Sequence, residues 1–493
     1  MKIKYSLLLT LLYVSFSFGQ SDKDMVIETV NKNTIQGHIY FLADDLLKGR
    51  ETGTPENKIA ASYLANTLRS YGVKPDPKTG SYYQEVTLLK VDAPKRITLS
   101  IDGKELKQKV AIQSKIMKFT GDLVYLGYGL ENDYKGKNLN KKVVVVKGGG
   151  PEATGVRGAF QLRDKKSDLA KAAGAVGIIE LIKTGADTWN FIDHNFNAPR
   201  LEVAKNKEDY VKQKNQIPHL WVQDEYGSTA LDLETGTHSV KWNMDSDNRH
   251  EIKSQNVVGI VEGTDPKLKN EYIIYSAHYD HVGIGTPDET GDAIYNGARD
   301  NAVGVTTVLS MAQSLAKYPT KRSALFILFT GEEKGLLGSK YYVDHPILPL
   351  DQMVYCFNSD NGGYNDTSVA TIIGLPRTTA AQNIKDAVAA FGLTAIDDPA
   401  PEQGLFDRSD NVNFAAKGIP APTFSLGFRS FDEEITKYYH QPGDHADDLD
   451  YNYLEKFFRA YVLSGRKIGN DPVTPFWTAG DKYEKAGKEL YKK

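Results

Sequence analysis

The chain has 493 residues, 40% of them hydrophobic and 25% charged, with a formal net charge of −3. That length exceeds one ordinary domain and provides for two or three units with ample core. The charge excludes a general nucleic-acid binder, which carries a strong basic excess, and a single cysteine, Cys356, excludes an internal disulfide and a thiolate-rich zinc site.

The opening, MKIKYSLLLTLLYVSFSFG, sets two lysines before a short apolar run and small residues at Ser17 and Gly19. This is the layout of a secretory signal peptide over 1–19, cut before Gln20, and its core, Tyr5 to Phe18, is short for a membrane span. No later segment has the apolar length of a transmembrane helix. The expectation is an exported protein, periplasmic or extracellular, soluble and without stable membrane insertion.

Helical spacing on both sides of GRETGTPEN predicts helices over Thr34–Leu46 and Asn57–Tyr71. Residues 82–115 alternate in strand fashion. The middle third is β-rich, with short runs such as KKVVVVKGGGP and AAGAVGIIEL and one helical stretch, FQLRDKKSDLAKAAG. Gly148–Gly150 lack the lysine and hydroxyl of a P-loop and read as a plain turn. Residues 185–215 read as polar and irregular. From Asn256 onward, apolar runs of buried-strand type (NVVGIVEG, EYIIYSAH, SALFILFTG, MVYCFNSD, SVATIIG, APTFSL) alternate with helical stretches. The fold class is therefore α/β, a mixed, mostly parallel sheet flanked by helices. Cys356, inside MVYCFNSD, reads as a buried, inert thiol.

In such sheets ligands bind beyond the carboxyl ends of the strands, and the residues found there are polar. His278, Asp280 and His281 follow YIIYSA; Glu332 and Glu333 follow ALFILFTG; Asp360 follows VYCFNS. Asp300 stands before a helix in NGARDNAVGV, and His440 lies in KYYHQPGD. Singly, Asp300 reads as a helix N-cap and the glutamates as solvated charges. Together the acids repel one another unless a cation lies among them. Imidazole and carboxylate without thiolate suit zinc, with manganese or cobalt as substitutes. Of Glu332 and Glu333, one is free to bind metal and the other to face a water; the chemistry does not choose between them.

SAHYDHVG, NGARDNAVGV, FTGEEKGLLGS, NSDNGG and YYHQPGD, in this order, resemble the M28 family of co-catalytic zinc peptidases. YFLADDLLKGRETGTPENKIAASYLANTLRSYGVKP resembles that family's amino-terminal helical segment, and the β-rich middle resembles an inserted protease-associated (PA) domain. The resemblance implies a segment 20–118 of the catalytic domain, a PA-like insert at 119–250 and the catalytic domain proper at 251–493. It implies two Zn2+ per chain, one held by His278 and Asp360, the other by Glu333 and His440, with Asp300 between them. Glu332 resembles the general base, Asp280 the group orienting the His278 imidazole, and Tyr439 a donor to the oxyanion. His281 reads as non-ligating. The implied function is a secreted exopeptidase acting on peptides through a metal-bridging water, with aminopeptidase leading. A carboxypeptidase or dipeptidase, with Arg299, Arg408 or Arg429 reading a terminal carboxylate, a glutaminyl cyclase and a non-catalytic peptide-binding relic are the alternatives. One departure stands out: RSDNVNF has Asn411 where many relatives carry histidine, which leaves the metal positions intact and bears on the substrate pocket, where Ser409 and Asp410 remain. Oligomeric state is left open.

Overall fold

The computed structural model describes residues 20–204, 216–246 and 248–492; the leader read at 1–19 lies outside them. Contacts divide the chain into two compact units, Met1–Gln84 with Gln255–Lys493, and Glu85–Ser254. The division falls at 84/85, ahead of the 118/119 step in sequence texture, since the strand Ile97–Ile101 pairs with His238–Met244.

In the first unit seven strands form a sheet: β1 (Asn248–Val261, belonging here from Gln255), β2 (Tyr272–His278), β3 (Ser323–Phe329), β4 (Met353–Ser359), β5 (Val369–Ile373), β6 (Thr394–Ile396) and β7 (Thr423–Ser425). Their order is β6-β5-β7-β4-β2-β3-β1. The central strands β3, β2, β4 and β7 are mutually parallel, while β1 and β5 join antiparallel. Every residue of β3 and β4 is buried, as helices on both faces require. Successive side chains point to opposite faces. Ile273, Tyr275 and Phe326 pack with the helices Pro55–Ser70, Gly304–Lys317 and Tyr451–Asn470. Ile274, Leu325 and Ile327 pack with Leu337–Asp344 and Asn411–Ala416.

The amino-terminal helices Asp22–Thr29, Lys32–Leu42 and Pro55–Ser70 each start on a side-chain cap, from Ser21, Asn31 and Thr54, which satisfies free amides of the first turn. The second stops four residues short of the expected Leu46. Asp44 accepts from the Leu46 amide at 2.9 Å and opens a tight turn. Lys48, Gly49 and Arg50 in that turn are all left-handed, with φ of 43°, 67° and 49°.

The second unit carries an eight-stranded sheet whose centre, Met117–Tyr125, Val143–Lys147, Gly177–Ile182 and His219–Gln223, is parallel. The expectation of an irregular 185–215 is corrected in part: Ala186–Asn197 is a helix. Trp189 and Ile192, one turn apart, are buried in a cluster with Val110 and Trp221 that Phe196 joins. That apolar stripe, interrupted by acids and amides, was present in the sequence but diluted by polar neighbours. Among the described residues no helix is long and apolar enough to cross a membrane.

Candidate metal centre

Parallel strands deliver their carboxyl ends to one edge of the sheet. β2 closes on His278, β3 runs through Thr330 and Gly331 into Glu332 and Glu333, and β4 hands over to Asp360. His278 and Phe329 are register partners, so the imidazole and the two glutamates leave from neighbouring strand ends. Asp300 lies in the irregular turn Ala298–Val303 ahead of the helix Gly304–Lys317, and its peptide to Asn301 is cis. His440, at φ 53°, follows the short helix Glu433–Thr436.

These side chains converge. His278 Nε2 lies 3.2 Å from Asp360 Oδ1 and 3.3 Å from Asp300 Oδ1. The other oxygen of Asp300, Oδ2, is 3.1 Å from His440 Nε2, which is also 3.1 Å from Glu333 Oε2. Asp300 thus presents one oxygen to each of two imidazole–carboxylate pairs. Glu332 shares a group with His278 and Glu333 in which ligand atoms lie within 4.8 Å of one another. His281, read from the sequence as non-ligating, stands inside the cluster: its Nδ1 is 2.7 Å from Glu333 Oε1, and it groups with Asp300, Glu333 and His440.

The four acids and three imidazoles of these groups include no thiolate. Oxygen and imidazole donors at this spacing fit dications of the zinc, manganese or cobalt kind. The electrostatics carry the same sign. Burial pulls the His440 imidazole down, but its hydrogen bonds to Asp300 and Glu333 outweigh that and hold it at about 10. Burial likewise acts to lower His278, and the Asp360 and Glu332 carboxylates and the bonds to Asp300 and Asp360 raise it well above an ordinary imidazole. Protons here neutralise what a bound dication would neutralise in their place. Burial, with Asp360, Glu333 and Asp410 adding, pushes Glu332 well above the usual carboxylate range against the pull of His278.

Asp280 is wholly buried. Its carboxylate accepts from Thr52 Oγ1 at 2.8 Å and from the amides of Glu332 and Glu333 at 3.2 and 3.4 Å. Toward His278 the nearer acceptor is the Asp280 main-chain carbonyl, 3.1 Å from Nδ1, with the carboxylate at 3.9 Å. Asp280 therefore fixes both the imidazole and the glutamate turn.

A cleft opens over His278, Asp300, Glu332, Asp360 and His440. Its far wall is apolar, with Ile373, Leu405, Phe428, Phe431 and Ile435, while Arg408, Ser409 and Tyr439 supply polar groups. Tyr439 stacks on His440 with ring centroids 4.1 Å apart and accepts from Arg408 Nη2 at 3.3 Å. Asn411 lies away from this wall, buried, donating to the carbonyls of Phe406 and Ala421. Of the three arginines considered for a terminal carboxylate, Arg299 is buried against Asp444 at 2.9 Å and Arg429 pairs with Asp366 at 2.7 Å; Arg408 alone lines the cleft. Cys356 is buried, and that burial pushes its thiol up to about 12.

An α/β sheet with a cleft of clustered imidazoles and carboxylates at its carboxyl edge is the architecture of a metal-dependent hydrolase. Residues 256–463, which hold the whole cluster, match the model of peptidase family M28, and the protein is a metallopeptidase. Aminopeptidase YwaD of Bacillus subtilis (strain 168) is 26% identical over 427 residues, covering 83% of this chain and 78% of that one. A probable zinc metalloprotease of Pyrenophora teres f. teres (strain 0-1) is 33% identical over 272 residues, 50% of this chain and 57% of that protein. The solved aminopeptidase from Aneurinibacillus sp. strain AM-1 superposes with a TM-score of 0.61 at 21% identity, over 92% of this chain and 97% of that one, which is a likeness of fold.

Proposed function

We propose that this protein is an exported aminopeptidase with two zinc ions per chain, one held by His278 and Asp360, the other by Glu333 and His440, with Asp300 shared. The observation that carries this reading is Asp300, whose two oxygens face His278 and His440 separately, 3.3 and 3.1 Å away. The similarity to an aminopeptidase and to a probable zinc metalloprotease supports it. Bound zinc supplies Lewis acidity that polarises a carbonyl and lowers the pKa of water.

The remaining work belongs to the chain. Glu332 takes the proton from the attacking water and passes it to the departing amine as the C–N bond breaks. Tyr439, oriented by Arg408, donates its hydroxyl hydrogen bond to the tetrahedral oxyanion. The apolar wall of Ile373, Leu405, Phe428, Phe431 and Ile435 excludes water and receives the side chain next to the scissile bond. Free-amine recognition fits a cleft rich in carboxylates better than carboxylate recognition does, since among the described residues Arg408 is the one arginine or lysine that lines it. The stretch 119–250, inside the unit Glu85–Ser254, serves as a PA-like insert, and the leader 1–19 directs export, so the mature chain starts at Gln20.

A panel of aminoacyl, N-blocked and free-carboxyl peptides tests the assignment, with metal content measured on the same active preparation. Cleavage confined to free-amine substrates with two zincs per chain is expected. Turnover of N-blocked peptides alone makes the enzyme a carboxypeptidase, and one ion or fewer in an active preparation removes the two-metal reading.

A further inference from the structure

The largest buried cation near the cluster is outside the segment that matches the peptidase family. Arg50 is 1% exposed, and among the described residues no carboxylate reaches ion-pair distance of it. Its planar fork is spent on main-chain carbonyls instead. Nε donates to Tyr279 O at 2.9 Å, Nη1 to Asn296 O at 2.6 Å and to Leu42 O, and Nη2 to Gly297 O at 3.0 Å. Tyr279 is flanked by His278 and Asp280, and Asn296 and Gly297 lead into Asp300. One rigid group therefore spans both segments that bring His278 and Asp300 together.

The second segment is also gripped from its amide side. Asp444 accepts from the amides of Arg299, at 2.9 Å, and Asp300, at 3.2 Å, and its own carbonyl accepts from Ala298 N at 3.1 Å. A cation thus holds the carbonyls of 296–297 and an anion the amides of 299–300, each matched to the peptide dipole it meets.

The backbone around Arg50 is built to place it. Arg50 sits at φ 49° between Gly49 at φ 67° and Glu51, a left-handed conformation that a residue with a Cβ adopts at a cost. A Cβ on Gly49 would fall 2.5 Å from Tyr295 O and 2.6 Å from Gly283 O. The turn thus lies directly on the segment it braces. Burial lowers the guanidinium to about 10, while Asp300, Asp280, Asp444 and Glu333 act to hold it charged.

We infer that Arg50 is a positioning residue that sets the spacing between the segments Tyr279–His281 and Asn296–Asp300, with Asp444 holding the second from the opposite side. This rests on the zinc assignment above. Lysine keeps the charge but has no planar fork to bridge several carbonyls, so Arg50→Lys separates geometry from charge. Arg322, equally buried and bonded to Glu271 and the Ile468 carbonyl, serves as a control for loss of an arginine that touches none of the ligand segments.

Zinc affinity is read by competition with a chelator on folded protein, beside urea unfolding of the metal-free form. Arg50→Lys is expected to weaken zinc binding about 10–100-fold, and Asp444→Asn to weaken it in the same direction, whereas Arg322→Lys lowers unfolding stability and leaves zinc affinity unchanged. Should Arg50→Lys fail to fold, Asp444→Asn carries the test alone. Wild-type zinc affinity in Arg50→Lys, or in Asp444→Asn when that variant stands alone, overturns the clamp while leaving the zinc assignment in place. A wild-type protein that binds no zinc overturns both, and is recognised before any variant is made.

Discussion

Two buried clusters of imidazole and acid, one in each unit, show what separates a site from a support. In the unit Glu85–Ser254, Lys166 Nζ lies 2.6 Å from Glu180 Oε1 and His219 Nε2 lies 3.6 Å from Glu180 Oε2. Lys166 and Glu180 are wholly buried, and the lysine also donates to the Lys147 carbonyl at 2.6 Å. A strand carboxylate meets a helix ammonium and a neighbouring strand's imidazole. At the strand ends of the other unit, four acids meet three imidazoles, and His278, Asp300, Glu332, Asp360 and His440 among them line a cleft. The first cluster is sealed; the second opens to solvent. Imidazoles and carboxylates gathered where an ion can reach them are what mark the second as functional.

The largest effect that would sharpen this contrast comes from Glu332→Gln, which removes a proton acceptor and leaves the proposed zinc ligands in place. Turnover should fall about 10²–10⁴-fold with zinc content unchanged by elemental analysis; near wild-type turnover would dismiss Glu332 as the base. Next is Lys166→Met. Leaving Glu180 buried with only the His219 imidazole beside it should cost about 3 kcal/mol, seen in urea unfolding followed by the fluorescence of Trp189, Trp221 and Trp242. Adding Glu180→Leu should recover most of that loss, because an apolar replacement of the whole pair restores balance. A Lys166→Met variant as stable as wild type would erase the distinction drawn here.

The smallest effect is in pH dependence. Burial acts to raise Glu180, but His219 and Lys166 outweigh it and leave the carboxyl below its ordinary value. A depressed carboxyl contributes stability that is fully present above about pH 4.5 and is lost as pH falls through the folded value. Glu180→Gln should therefore flatten the acid limb of the tryptophan-reported transition below pH 4.5. An unaltered acid limb would show that Glu180 does not set it.

Much of the catalytic unit was legible because buried parallel strands leave continuous apolar runs, and the residue after each run falls at the ligand-bearing edge. His278, Glu332, Glu333 and Asp360 could be picked out on that ground. What escaped was long-range or masked. The contact of His281 with Glu333 joins positions 52 residues apart, and nothing local to His281 announces it. Arg50 lies in a stretch that reads as a loop, and its purpose becomes visible only when Tyr279 and Asn296 are beside it. The helix Ala186–Asn197 was hidden because Trp189, Ile192 and Phe196 are spaced among aspartate and asparagine, residues that favour turns when read singly.

The spread of the cluster along the chain has a temporal side. Its imidazoles and acids run from His278 to His440 and are braced from Arg50 to Asp444. A ribosome must therefore translate through His440 before the last of these side chains exists. Until then the growing chain carries strands and helices but no complete set of donors.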